Sequence, residues 1–345
     1  VPFPERAKLP LQGHRAKRAV HEVIAGHKLS TGEEMSTLRV TAPDLEFKDA
    51  ILSLIGHKEP YWLVPVREAM EGKIAILKTY CYLAFSGEQI IGNITTAESL
   101  EEPVGMLQHV FTVPEHRRKG VASFLMQDLL TDFKARKGRA LYLGTGYGSE
   151  AHRIYLRYGF QDIGEKTGKM RYITRKDFDE RYFGGSTAFV SAVGWEHWPG
   201  SDALFSTEDG WYAKNYAFGA FGVHGFEGSF INLMLGLREG SVKDAKALIS
   251  DDAIVGLASL VPDPRWNYGV TILDFFVHPR FLNSAPALIH ALSFGAEKVQ
   301  SFVEAQAKGK SHVLEDCGFK LETKLSEQLR YSGRSLDVLV YSRRP

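Results

Sequence analysis

From Thr37 onward the chain alternates short apolar runs with segments of helical spacing. Leu38 and Val40 mark a first strand, and Asp44 stands where a helix N-cap would precede Leu45–Ile55. Trp62–Glu71 has the spacing of a second helix. Thr79–Phe85 and Gln89–Thr95 are strand-like runs joined by Ser86-Gly87-Glu88, a hairpin signal. Val104–Val113 is a third strand of this set, stopped by Pro114. Within Gly120–Arg136, the residues Val121, Phe124, Leu125, Leu129 and Phe133 form one helical stripe. Ala140–Leu143 is a short buried strand, and Glu150–Tyr158 is a helix stopped by Gly159. Phe160–Ile163 and Lys169–Ile173 can close the sheet as an antiparallel pair. Helices, a meander, then strand–helix–strand–helix–strand predict a mixed sheet in an α/β (α+β) fold.

Residues 1–34 are polar and basic, and the spacing of Ala19, Val20, Val23 and Ile24 permits one short helix. This stretch reads as an N-terminal extension packed on the body or as an added remnant, with Met35 a candidate start. Around residue 250 the text restarts. Ser250–Gly256 echoes Ser86–Gly92, Leu273–Pro279 echoes Gln108–Pro114, and Cys317-Gly318-Phe319 echoes Tyr158-Gly159-Phe160. Gly92 precedes Pro114 by 22 residues and Gly256 precedes Pro279 by 23, so the echoes keep register. We expect an extension over 1–34, one domain over 35–178 and a diverged second copy over 179–345. Between the copies, Phe183–Gly240 is rich in Gly and aromatics, including Trp195, Trp198, Trp211 and Tyr216. It holds the first strand and helices of the second copy, or its aromatics line an acceptor pocket, and both can be true.

Composition narrows the picture. With 44% hydrophobic residues in 345 the chain can bury two cores, and 42 Lys+Arg against 41 Asp+Glu exclude a globally basic nucleic-acid binder. A nucleic-acid partner is therefore not expected. No apolar run approaches the roughly 20 residues that span a bilayer, and Val1–Pro10 carry prolines and charges instead of a signal peptide's apolar stretch. Cys81 and Cys317 make neither a disulfide framework nor a metal-binding pair. They read as buried thiols in a cytoplasmic protein that needs no metal.

The chemistry concentrates in Thr112–Ala122. A strand runs into a tight basic turn, then into a helix whose first residues are small, so several unpaired backbone N–H groups and the positive end of a helix dipole meet at one point. Gly120 and Ala122 let a ligand approach the backbone, and Arg117, Arg118 and Lys119 add charge. This is a diphosphate cradle. The segment resembles motif A of the GNAT superfamily of N-acetyltransferases, Arg/Gln-x-x-Gly-x-Gly/Ala, reading Arg117-x-x-Gly120-x-Ala122 here. Downstream, the family's Asn-x-x-Ala-x-x-x-Tyr-x-x-x-Gly-Phe reads Gly148-x-x-Ala151-x-x-x-Tyr155-x-x-x-Gly159-Phe160, departing only at the Asn. The resemblance covers about 37–175 strongly and about 185–345 weakly.

The resemblance implies two neighbouring strands that splay apart around acetyl-CoA, a cosubstrate. The pantetheine arm would pair with the backbone of Phe111, Thr112 and Val113, and the pyrophosphate would rest on the N–H groups of Arg118, Lys119, Gly120, Val121 and Ala122, with Arg117 and Ala151 also at the coenzyme. A backbone N–H near Val110 or Phe111 would stabilise the oxyanion, and Tyr155 would protonate the departing thiolate. Family members often carry a carboxylate base on the strand face that here holds Met106 and Gln108, which cannot accept a proton. His109 has a suitable proton affinity but points to the other face unless a β-bulge intervenes. A water-mediated route is the alternative. Glu101, Glu102, Glu196, His197, His224 and Glu227 are further basic groups with no geometric warrant.

In the second half the turn reads Val277–Ala287, where Leu282 replaces the Arg, Ala285 the Gly, and Pro286 removes an N–H; the Tyr position has become Leu314. No coenzyme is expected there, only a structural role in shaping the acceptor cleft. The sequence thus reads as an acetyl-CoA-dependent N-acetyltransferase with a small-molecule amine acceptor, its chemistry confined to the first half. The alternative is a non-catalytic acyl-CoA-binding or sensing protein.

Overall fold

The structure, a computed structural model, describes residues 21–101, 103–267, 269–331 and 333–344. The chain divides into two compact units: the first runs to Asp162 and takes Met170–Arg175, and the second holds Ile163–Lys169 and continues from Lys176.

The first unit comprises β1 (His21–Lys28), β2 (Glu34–Thr41), α1 (Lys48–Leu54), α2 (Pro60–Met70), β3 (Lys78–Ser86), β4 (Gln89–Glu98), β5 (Val104–Thr112), α3 (Val121–Ala135), β6 (Ala140–Gly144), α4 (Glu150–Arg157), β7 (Gln161–Asp162) and β8 (Lys169–Ile173). Its eight strands lie in the order β1-β2-β3-β4-β5-β6-β8-β7. Strand alternation gives the sheet two apolar faces. Cys81, Leu83 and Phe85 of β3 pack with Ile51, Val66 and Met70 of α1 and α2. Tyr80, Tyr82 and Ala84 face the other way, against Val121, Leu125, Leu129 and Phe133 of α3. The far end of α3 is pinned by a buried ionic knot. The Arg136 guanidinium pairs with fully buried Glu98 and donates to Asp132 at 3.0 Å and to the Tyr82 hydroxyl at 3.1 Å. At its other end α3 lies close over β4, where a side chain at Gly92 would come within 2.8 Å of Val121.

The second unit contains α5 (Phe178–Tyr182), β9 (Phe189–Ala192), α6 (Trp198–Phe205), β10 (Ala213–Asn215), β11 (Ala220–Phe221), α7 (Glu227–Glu239), β12 (Asp244–Ser250), β13 (Ala253–Pro262), β14 (Val270–Val277), α8 (Ala285–His290), β15 (Lys298–Glu304), α9 (Lys308–Asp316), β16 (Lys320–Tyr331) and β17 (Arg334–Arg343). Its main sheet runs β9-β12-β13-β14-β15-β17-β16, the order of β2 to β7 in the first sheet. Each sheet has a central parallel pair, β5 with β6 and β14 with β15. The expected mixed α/β class is what is observed.

Local expectations differ in three places. The helix read from Ala19 to Ile24 is a strand over its described part: β1 pairs antiparallel with β2, and the apolar spacing there reflects a bulge between Val23 and Ala25. Ala19 and Val20 lie outside the described residues. Asp44 accepts from the N–H groups of Glu46 and Phe47, closing a turn ahead of the helix, so α1 starts at Lys48 and not at Leu45. Helix α2 starts two residues earlier than expected, at Pro60, whose missing N–H costs nothing at a first helical turn. No described helix is long and apolar enough to cross a membrane. Both cysteines are buried and free, and desolvation pushes the Cys81 thiol up to about 12 and Cys317 to about 11.

Candidate active site

Strands β5 and β6 pair only from Val104 to Met106 against Ala140 to Tyr142. From Leu107 to Thr112, β5 continues along β4 alone, so its other backbone edge is left to the gap. Within that stretch Thr95 pairs with Gln108 and Asn93 with Phe111. Two residues of β5, His109 and Val110, therefore oppose Ile94: a β-bulge with His109 at φ +51°. Buried Asn93 holds the bulge by donating its side-chain amide to the His109 carbonyl at 2.9 Å. The extra residue turns His109 to the side of α2, where its ring lies 6.5 Å from that of Trp62. Phe111 shares that side, 5.0 Å from the His57 ring, while Val110 packs on the α3 face.

Beyond β5, a 3-10 turn at Pro114–His116 leads to α3. Gly120, the residue before the helix, has φ +101°, a left-handed conformation that strains any side chain. Its carbonyl accepts the first helical bond, from Phe124 at 3.0 Å. Among the described residues no backbone carbonyl or cap side chain takes up the N–H groups of Arg118 to Ala122. The three basic side chains behave differently. Arg117 donates to the Thr112 carbonyl at 3.1 Å, and Lys119 lies 3.6 Å from Glu33. Exposed Arg118, at φ +62°, has no hydrogen bond or ion pair among the described residues. The β1–β2 connection closes one flank, with the Ser30 N–H on the Lys119 carbonyl at 3.2 Å and His27 stacked on Phe124 at 4.3 Å.

Helix α4 is capped by Ser149, whose hydroxyl accepts from the His152 N–H at 3.1 Å. That start puts Tyr155 on the inner face, 6% exposed and 5.7 Å from the Phe160 ring, with half-buried Ala151 one turn before it. Burial alone pushes the Tyr155 phenol up to about 12, so it stays protonated at neutral pH.

His109 is the opposite case. Its Nε2 is buried without a hydrogen-bond partner, and desolvation, then the charges of Lys58 and His57, depress it to about 4. In the unfolded chain it takes up a proton near pH 6.5; in the folded chain it resists until about pH 4. Stability is therefore expected to fall as pH drops through that window, by up to about 3 kcal/mol, with no contribution from this group above pH 6.5. Urea unfolding of the native chain and of His109→Gln between pH 4 and 7 checks this: the variant loses that part of the slope.

Residues 59–174 match the family model described as Acetyltransferase (GNAT) domain. This segment is thus similar to a GNAT acetyltransferase domain. It is 33% identical over 81 residues to a protein named Uncharacterized N-acetyltransferase YedL from Escherichia coli K12, a match covering 23% of this chain. The chain spans about half (50%) of the length of that curated relative. Solved structures to which part of the chain is similar include a ribosomal-protein-alanine N-acetyltransferase from Brucella melitensis, at 17% identity and TM-score 0.38, covering 46% of this chain and 99% of that one. Another is a phosphinothricin acetyltransferase from Sinorhizobium meliloti in complex with AcCoA, at 14% identity and TM-score 0.38, covering 46% of this chain and 89% of that one.

Within the matched segment the sequence-derived residues fall in two groups. Val110 to Val113 and Arg117 to Ala122 form one continuous path along the open edge of β5 and into α3, while Tyr155 and Ala151 sit on α4. His109 joins them only through the bulge. Glu101 is exposed, and Glu102 lies outside the described residues. Asn93, His57, Lys58 and Trp62 escaped sequence reasoning. The available signal for Asn93 was an amide in the otherwise apolar run Ile90–Ile94, and no local pattern marks the other three.

The second unit opens in the same way, since β14 and β15 pair only over Val270–Ile272 and Lys298–Gln300. There the gap is bridged by the chain itself. The Asp274 carboxylate accepts from the N–H groups of Tyr216 and Ala217 at 2.9 and 2.8 Å, and Glu304 accepts from Tyr212 at 2.9 Å. Buried Lys310 donates to the Ala213 carbonyl at 3.0 Å. The turn after β14 is closed by its own side chains too: His278 stacks on Phe183 at 4.5 Å and Phe281 is buried. The aromatics of Phe183–Gly240 thus pack within this unit, as Phe205 does on Phe226 at 3.8 Å. Among the described residues no three His, Cys, Asp or Glu side chains are grouped to hold a metal ion.

Proposed function

We propose that the first unit transfers the acetyl group of acetyl-CoA to a small-molecule amine. The observation that carries this reading is the departure of β5 from β6 beyond Met106, immediately beside the left-handed Gly120 and the free amides that begin α3. The open β5 edge, running through Thr112, suits an amide-bearing pantetheine arm that adds to it as a strand does. The amides of Arg118 to Ala122, with the unpaired Arg118 guanidinium, suit the diphosphate. Acetyl-CoA supplies the acyl group as a thioester. In the transfer a C–N bond forms and the C–S bond breaks; neutral His109, directly or through water, takes the amine's proton, and Tyr155 gives one to the leaving sulfur. The N–H of Val110 or Phe111 at the bulge would face the developing oxyanion.

The second unit is, in this proposal, a diverged copy of the same fold that holds no coenzyme. The repeated text lies in matching places: Gly92 pairs with Thr112 and Gly256 with Val277, each near the end of the strand that leads to a proline. Two buried carboxylates and a chain segment occupying the gap oppose a polyanionic ligand. Two free buried thiols fit a cytoplasmic setting.

Calorimetric titration with acetyl-CoA tests this. We expect one site per chain, weakened at least about ten-fold by Gly120→Val, whose side chain is strained at φ +101° and meets Phe124. Arg118→Glu is expected to weaken it similarly. Two sites per chain, or indifference to both changes, would remove the reading. Thiol release with amines, absent for a binding or sensing protein, separates catalysis from mere binding.

A further inference from the structure

We propose that the acceptor is an amine that also carries a carboxylate, which Lys58, assisted by His57, receives at the mouth of the β5–β6 gap. The inference rests on the acetyltransferase reading above and names the substrate class of that site.

The placement comes from two ring contacts. His57 lies 5.0 Å from Phe111 and Trp62 lies 6.5 Å from His109, and both β5 partners are beyond the last β5–β6 pair. Lys58 stands between His57 and Trp62 in the chain, held back toward α1 by its N–H on the Ile55 carbonyl at 3.0 Å. Its side chain is exposed and has no ion pair or hydrogen bond among the described residues. A lysine left unpaired beside a buried, unpartnered imidazole is what a ligand anion would complete.

The sign of the charge decides between acceptor classes. The two charged groups that act on His109 are Lys58 and His57, both basic. The remaining polar groups on this stretch, Gln108 and Asn93, are amides. A polyamine would therefore meet two basic groups with only the exposed Glu59 carboxylate, next in the chain, against them, whereas an amino acid brings its own counter-charge. Burial is the larger cause of His109's low proton affinity; the carboxylate would offset the added charge of Lys58 and His57, moving that affinity toward the working pH as the amine arrives.

Thiol-release kinetics on the full chain with acetyl-CoA test this, using matched pairs: alanine and ethylamine, leucine and 3-methylbutylamine, phenylalanine and phenethylamine, with spermidine as a polycation. At least one acid should exceed its carboxylate-free partner by about ten-fold or more in kcat/KM, the scale of one charged hydrogen bond. Lys58→Glu should abolish that preference mainly by raising KM for the acid, and Lys58→Arg should keep it. Equal or better use of the plain amines or spermidine, or an unchanged preference in Lys58→Glu, overturns the inference while leaving the acetyltransferase reading intact. Silence across the panel with acetyl-CoA bound also overturns it. Failure to bind acetyl-CoA, read by calorimetry, removes both.

Discussion

Tyr155→Phe is expected to lower kcat by about two to three orders of magnitude while leaving acetyl-CoA affinity nearly unchanged. The ring is buried against Phe160 in the α3-side core, so Phe conserves the packing and removes only the hydroxyl. Desolvation already holds that phenol protonated at about 12, well above the range in which it would ionise by itself. It is thus a donor at every working pH, able to share its proton as negative charge builds on the leaving sulfur. The measurement is steady-state thiol release paired with calorimetry on the same variant. An unchanged kcat would return Tyr155 to a packing role. A parallel loss of coenzyme affinity would show that the hydroxyl contributes to binding instead.

Lys310→Met is expected to cost about 3–5 kcal/mol of stability, because it leaves buried carboxylates without their cation. The Lys310 ammonium is fully buried, donates to the Ala213 carbonyl and lies 5.3 Å from the Phe275 ring. Burial lowers the Lys310 ammonium, against which Glu304 and then Asp274 favour its charged form; burial likewise raises Asp274, against which the Lys310 charge acts. Methionine fills similar volume, so the loss reports charge and not a cavity. Once the lysine is gone Asp274 remains raised in the fold by burial, so the variant's deficit should grow as pH rises and Asp274 ionises, and shrink as pH falls. Urea unfolding at pH 5 and pH 8, with hydrogen exchange following β14 and β15, checks both the size and the direction. Adding Asp274→Asn should recover part of the loss. A deficit independent of pH would show that the hairpin at Ala213–Phe221 is held by packing alone.

The strands, the long helix after Gly120 and the turn that opens it were legible because each depends on local periodicity or on a short motif. Alternation in Thr79–Phe85 and the stripe from Val121 to Phe133 report which face of an element is apolar, and the backbone obeys. The span Arg117-x-x-Gly120-x-Ala122 carries its own geometry, since a left-handed Gly before a helix exposes amides whatever surrounds it. The start of α1 was misread because Asp44 closes a turn instead of capping a helix, two outcomes that the same side chain serves equally well. His109 was undecidable by alternation: one inserted residue opposite Ile94 reverses which face it takes, and that insertion is set by pairing with β4 and by Asn93. His57 and Trp62 reach β5 from the start of α2 and the turn before it, some 50 residues away in sequence, with no local pattern to announce them.

By itself, then, the amino-acid order determined the mixed sheets, the left-handed Gly120 with its open amides before α3, and the missing N–H at Pro286 in the second turn. Only tertiary structure decided which way His109 faces, what stands opposite it, and that the second gap is bridged by Tyr212–Ala217. The physical reason is range. Periodicity and caps are settled by neighbours within a turn or two, whereas register between strands and the partners of buried charges depend on chain segments that meet only on folding.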